Sequence, residues 1–220
     1  MTMPQIIQQP QQLSGPSWNR LETFGIYLLN KEITPDSGGD LMRFILEANL
    51  NPQRQFDSIQ VLINSPGGDI NTGFAVCDTI LGSNLPIYTI GIGLVASAAL
   101  LIFMTGKKGY RVVTPNTSIL SHQWSWGNFG KEHELLAQVK EFDLANDRFI
   151  KHYRKYTGLT VEKIKKYLLP PSDVWLSAEE AIKLKIADKI IEPSIQITEV
   201  EDKHIPIKRK KTKKIVKKGK

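Results

Sequence analysis

Ile59-Gln60-Val61-Leu62-Ile63-Asn64-Ser65-Pro66-Gly67-Gly68 is the stretch that decides the fold. Ile59–Ile63 is mostly apolar and suits a buried strand. It runs into a breaker, Ser65-Pro66-Gly67-Gly68, and then into Asn71–Leu81, which is helical by pattern. Gly82 is expected to stop that helix in a left-handed conformation. Strand, turn and helix in immediate succession are one winding of an α/β fold.

The winding repeats on both sides. Upstream, Phe24–Leu29 suits a short strand, and Asp40–Leu50 carries Leu41, Phe44, Ile45 and Ala48 at helical spacing. Downstream, Pro86–Ile92 reads as a strand closed by Gly91 and Gly93. Ala96–Met104 is apolar nearly all round, which predicts a buried helix, ended at Thr105-Gly106. Arg111–Val113 and Ser118–Ser121 read as further strands. This alternation predicts right-handed crossovers and a largely parallel sheet.

The next segment differs. Glu132–Tyr156 has neither Pro nor Gly, and Leu135, Val139, Phe142, Phe149, Tyr153 and Tyr156 recur along one stripe. It predicts a long amphipathic helix ended at Gly158. Such a helix overhangs a small sheet, so its stripe either meets another copy or folds back on its own domain. Thr160 caps a short helix that Pro170-Pro171 breaks. Ser177-Ala178-Glu179-Glu180 is a capping box opening a helix to about Leu184, and Ile186–Ile191 is a last strand-like piece.

Composition sets the frame. The chain has 220 residues, 41% hydrophobic and 23% charged, which suits one soluble globular domain with tails. Its net charge of +7 is concentrated: residues 207–220 hold nine Lys or Arg and no acid. Without those nine, 20 basic residues face 22 acidic ones, a net of −2, so the folded body is not that of a nucleic-acid binder. Residues 1–17 are rich in Gln and Pro and read as a flexible arm, 18–193 as the domain, and 194–220 as a polar, then basic tail. The single Cys77 excludes an internal disulfide, points to a reducing, cytoplasmic setting and reads as a buried thiol. The N-terminus has no charged-then-apolar signal pattern. No apolar run reaches the roughly 20 residues of a membrane span.

Four short constellations carry chemistry. Asn64–Gly68 ends a strand in two glycines, whose free N–H groups suit an oxyanion, although a tight turn needs the same residues. Ser97 follows a strand and opens an apolar helix between the small residues Ala96 and Ala98, a setting that suits a nucleophile or a plain N-cap. His122 ends an apolar strand and is a natural general base, or a structural histidine. Asp173 precedes a capped helix and either orients a histidine or closes a turn. Jointly they meet the needs of acyl transfer: a hydroxyl, a base to activate it, a carboxylate to fix the base, and donors for the intermediate.

With these stretches in hand, the chain resembles the ClpP family, the proteolytic subunits of the Clp protease. The resemblance rests on Ile63–Gly68, Ala96-Ser97-Ala98-Ala99, His122-Gln123 and Asp173-Val174-Trp175-Leu176-Ser177-Ala178-Glu179-Glu180-Ala181, and spans roughly Trp18 to Ile191. It implies an α/β fold of ClpP/crotonase-like repeated β-β-α units with a protruding handle helix, here Glu132–Tyr156. Ser97 would be the nucleophile, His122 the base and Asp173 its partner. The backbone N–H groups of Gly68 and Ala98 would form the oxyanion hole. A peptide would lie as an added strand along Gly67, Gly68 and Ile70, opposite the segment near Ser125. Implied partners are protein or peptide substrates, further copies in heptameric rings that stack in pairs, and a ring-shaped AAA+ unfoldase ATPase. No metal or organic cofactor is implied, and no membrane or nucleic acid.

The chain also departs from the family pattern. Trp124 stands where Pro usually follows the His-Gln pair, and Trp126 adds bulk. Val174 replaces the usual Arg after the triad aspartate, which bears on ring–ring contact. Ala98-Ala99 replaces Met-Gly, which leaves the backbone donor intact. Two other readings compete: a catalytically silent ring subunit, and an acyl-CoA enzyme of the crotonase superfamily. For the second, Asp69 is the only acid beside the glycine loop. A Ser–Lys peptidase is disfavoured because Lys107 and Lys108 lie a helix away from Ser97.

Overall fold

A computed structural model describes residues 20–124, 127 and 129–192. The arm 1–17, the tail 194–220, and Ser125 and Trp126 lie outside the described residues. The elements in chain order are α1 (Arg20–Thr23), β1 (Ile26–Leu29), α2 (Pro35–Leu50), β2 (Ile59–Ser65), α3 (Ile70–Gly82), β3 (Ile87–Ala96) and α4 (Ala98–Thr105). There follow β4 (Arg111–Val113), β5 (Ser118–Ser121), α5 (Glu132–Thr157), α6 (Val161–Tyr167), β6 (Val174–Leu176), α7 (Ala178–Lys183) and β7 (Lys189–Ile190).

Among the described residues seven strands form one sheet, with β1-β2-β3-β4-β7 as the main path. Every pair on that path is parallel, as the alternation of elements predicts. Strand β3 is the hinge of the sheet. Its first half, Thr89–Gly91, pairs with β4, and its second half, Leu94–Ala96, pairs with β5. β6 then adds antiparallel to β5, a strand the sequence reading does not foresee.

Two glycine expectations are corrected. Gly91 and Gly93 do not close β3; the strand runs on to Ala96. Between Ile63↔Gly91 and Ser65↔Val95 the register slips, so β3 carries two extra residues against β2. Gly93 absorbs the slip at φ +62°, and Asn64 Oδ1 sits 2.9 Å from where a Cβ would be. That same Oδ1 accepts the Leu94 N–H at 3.1 Å, replacing the ladder bond lost at the bulge. The second correction is Gly82, which remains in the helix. Ser83 terminates α3 with φ −72°, its N–H reaching the Ile80 carbonyl.

Helix α2 starts earlier than the apolar spacing suggests. Thr34 and Ser37 form a reciprocal capping box with Pro35 in the first turn. Gly158 ends α5 at φ +69°, and Thr160 and Ser177 cap α6 and α7, as read from the sequence. All eight residues of α4 are buried. The apolar side chains of β2 (Ile59, Val61, Ile63), of β1 (Leu29) and of α4 form the core.

The long helix divides in two. Its buried residues, Ala145, Phe149, His152, Tyr153 and Thr157, all lie in its C-terminal half, which packs on its own domain. In the other half Leu136, Val139 and Leu144 are 64%, 49% and 48% exposed, so that half carries apolar side chains into solvent. The fold-back reading of the stripe therefore holds for the C-terminal half only.

Candidate active site

Strand registers bring Ser97, His122 and Asp173 to one end of the sheet. β3 pairs with β5 through Ala96↔Leu120, and β5 pairs with β6 through Ser121↔Val174. The second ladder ends there, so His122 leaves β5 and Asp173 enters β6 at the same end. One step further along the first, Ser97 donates its N–H to the Leu120 carbonyl at 3.0 Å. Serine, histidine and aspartate thus leave three adjacent strands at the same edge.

Ser97 departs from the N-cap reading. It occupies the N-cap position of α4, yet its hydroxyl caps nothing. Its backbone holds φ +54° and ψ −125°, a conformation costly for a residue with a Cβ. Such a turn aims the side chain outward and leaves the hydroxyl free. Strain at a serine whose side chain makes no local hydrogen bond is a mark of function rather than of capping.

The glycine pair is folded against this turn. Gly67 holds φ +91°, and a Cβ there would lie 2.6 Å from the Ser97 Cβ and 2.7 Å from the Ala96 carbonyl oxygen. Gly68 holds φ +142°, and a Cβ there would strike the Ile33 carbonyl. Ile33 bridges this loop by donating to the Gly67 carbonyl at 2.7 Å and accepting from the Asp69 N–H at 2.8 Å. In that parallel bridge the Gly68 N–H faces away from Ile33. The Ala98 N–H is the first of α4 and has no acceptor inside the helix.

A cavity of about 590 Å³ opens here. Gly67, Gly68, Ile70, Ser97, Ala98 and His122 all line it. Asp173 does not; it is exposed. Among the described residues no hydrogen bond joins Ser97 to His122 or His122 to Asp173. Catalytic contacts in unliganded sites are often long and tighten only with substrate.

Beneath the cavity the edge is anchored. The buried Ser121 hydroxyl donates to the Leu168 carbonyl at 2.6 Å, Gln123 Nε2 donates to the Leu169 carbonyl at 3.0 Å, and Trp124 Nε1 donates to Asn146 Oδ1 at 3.1 Å. His122 is therefore flanked on both sides by fixed residues. Sequence reasoning missed the parts played by Asn64, Ser121 and Asn146. All three are polar residues inside or beside apolar runs, which was the available signal.

A model of the Clp protease family matches residues 12–194. The chain belongs to the Clp protease family. It is 34% identical over 150 residues to an ATP-dependent Clp protease proteolytic subunit from Deinococcus radiodurans, covering 68% of this chain and 71% of that one. It is 30% identical over 190 residues to ATP-dependent Clp protease proteolytic subunit 2 from Mycolicibacterium paratuberculosis, covering 86% and 93%. Among solved structures, a mutant of ClpP1 from Listeria monocytogenes superposes with a TM-score of 0.69 at 28% identity, covering 80% of this chain and 95% of that one. The ClpP fold expected from the sequence is the fold observed, and membership of the Clp protease family supports a peptidase. Among the described residues, no helix is long and apolar enough to cross a membrane.

Proposed function

We propose that this chain is a serine endopeptidase that cleaves unfolded proteins inside an oligomeric chamber. Ser97 is the nucleophile, and His122 takes its proton and returns it to the leaving amine. Asp173 holds the imidazole tautomer, and the N–H groups of Gly68 and Ala98 receive the oxyanion. The substrate lies extended along Gly67–Ile70, with the segment around Ser125 on its other side. The observation that carries this reading is the strained, uncapped Ser97, sharing one cavity with His122 and the Gly67-Gly68 loop.

Two surfaces support an oligomeric assembly. A parallel sheet is ordinarily covered on both faces. Here Leu28 is 43% exposed, and Leu62, Tyr88, Ile90 and Val112 on the same face are only half-buried. Together with the apolar half of α5, this face supports contact with further copies, in heptameric rings stacked through the handle. An AAA+ unfoldase would supply the chamber with extended chains, in a cytoplasmic compartment.

A fluorophosphonate probe tests the core of the reading. Labelling of the unaltered protein and its loss in Ser97→Ala are expected, along with hydrolysis of a fluorogenic peptide that rises when an unfoldase and ATP are added. The lack of hydrogen bonds among Ser97, His122 and Asp173 favours a second reading, a ring subunit silent on its own. Absence of labelling in a fully assembled ring would select it.

A further inference from the structure

A second cavity, of about 790 Å³, lies against the first. Asn146, Ile150, Arg154, Val161 and Leu169 are among its lining residues, so it is set between α5, α6 and the segment after β5. Two side chains line both cavities, Trp124 and Phe149. They differ in kind. Phe149 is 5% exposed and stands edge-on to Phe74 with ring centroids 5.8 Å apart, so it belongs to the core. Trp124 is only partly buried and comes from the segment beyond β5. Its ring leans on Phe142 at 5.0 Å, and its N–H is held by Asn146 Oδ1 at 3.1 Å. One shared wall is thus structural, and the other is a loop side chain held by its hydrogen bond to Asn146 and its ring contact with Phe142.

We propose that Trp124 is a specificity-determining residue: its indole closes the second cavity off from the one beside Ser97. It thereby sets the largest side chain that a substrate can place next to the scissile bond. The inference rests on the peptidase reading given above. The physical ground is that a wall discriminates by volume. One methylene more or less in an apolar pocket shifts relative rates by roughly 10- to 200-fold. Removing an indole adds far more space than a methylene and opens it toward a second cavity of mixed lining, where Ile150, Val161 and Leu169 stand beside Asp143, Asp147 and Lys151. The Asn146 bond keeps the ring from rotating out of the way, and Ile70 and Ala145 supply apolar lining on the near side.

Three fluorogenic peptides that differ only in the residue on the acyl side of the cleaved bond, Ala, Leu or Phe, provide the test. Trp124→Ala is expected to raise the Phe-to-Ala ratio of kcat/KM by about tenfold or more over the unaltered protein, mainly through KM. Asn146→Leu loosens the wall without removing it, and is expected to move the ratio by no more than about threefold. An unchanged ratio in a folded Trp124→Ala protein overturns the proposal. If that variant does not fold, Trp124→Leu is read the same way, with a smaller gain expected. Calorimetric binding of the same peptides to Ser97→Ala, with and without Trp124→Ala, separates the two ideas. A size shift in binding without hydrolysis by any Ser97-containing protein keeps the wall and sinks the peptidase. Hydrolysis with no size shift does the opposite.

Discussion

The hydroxyls of Ser121 and Tyr153 lie 2.8 Å apart in the protein interior, tying the strand that ends one residue before His122 to the long helix α5. The direction of the bond is fixed by its neighbour. Ser121 spends its only hydroxyl hydrogen on the Leu168 carbonyl, so Tyr153 must donate and Ser121 accept. Three elements meet at that one oxygen. Removing the serine leaves two buried polar groups without partners, whereas removing the tyrosine hydroxyl leaves Ser121 still bonded to Leu168. Ser121→Ala should therefore cost about 2–4 kcal/mol and Tyr153→Phe about 1 kcal/mol. Urea unfolding of both variants checks the order, and equal costs would refute the assigned direction.

Two glycines with similar φ separate strain from collision. Gly67 is at φ +91° and Gly109 at φ +88°. A Cβ at Gly109 meets nothing within 4 Å, while one at Gly67 meets Ser97 and Ala96. Gly109→Ala should lose only the left-handed penalty of about 1–2 kcal/mol and keep full fluorophosphonate labelling. Gly67→Ala should lose more stability and displace Ser97, with labelling largely abolished. Intact labelling in Gly67→Ala would show that the loop does not govern the serine.

His152 gives the fold a pH dependence of its own. Burial pushes its pKa down from 6.5 to about 4, against the opposing effect of its bond to the Leu101 carbonyl. Nε2 lies 2.9 Å from that carbonyl oxygen, so the neutral ring carries its proton on Nε2. Between pH 6.5 and about 4 the unfolded chain binds a proton that the folded chain refuses. Stability is therefore complete above 6.5 and declines as pH falls, by at most about 3 kcal/mol at pH 4. His152→Gln keeps a donor but cannot titrate. Its stability should fall less steeply than the unaltered protein's over that window, and parallel curves would refute the assignment.

Arg111 and Asp188 close the far side of the sheet. The guanidinium donates through Nη2 to Oδ1 at 2.6 Å and through Nε to Oδ2 at 2.9 Å, and the N–H groups of Gly109 and Arg111 add two more bonds. Burial alone would raise the Asp188 carboxyl, but the Arg111 and Gly109 bonds outweigh it and hold the carboxyl below 3.8. Its contribution is present above 3.8 and lost as pH falls through the lower folded value. Asp188→Asn leaves a guanidinium that is only 3% exposed without its counter-charge, at an expected cost of about 3–5 kcal/mol in thermal or urea unfolding. A loss under about 1 kcal/mol would mean water replaces the carboxylate.

What the sequence by itself determined is local. The capping box at Ser177, the apolar faces, the left-handed Gly158 and the four chemical stretches are all readable because each depends on residues within a few positions of one another. What only the tertiary structure decided is pairing. The short strand β6, the slipped register at Asn64, the division of α5 into a packed and an exposed half, and the placing of Trp124 between two cavities all join residues far apart in the chain. The same holds for Ser97: a serine before an apolar run fits a cap as well as a nucleophile, and only the fold shows its hydroxyl uncapped and Gly67 close against its turn. Local pattern fixes which face of an element is apolar, whereas strand register and packing fix which side chains meet, and those depend on contacts that no short window contains.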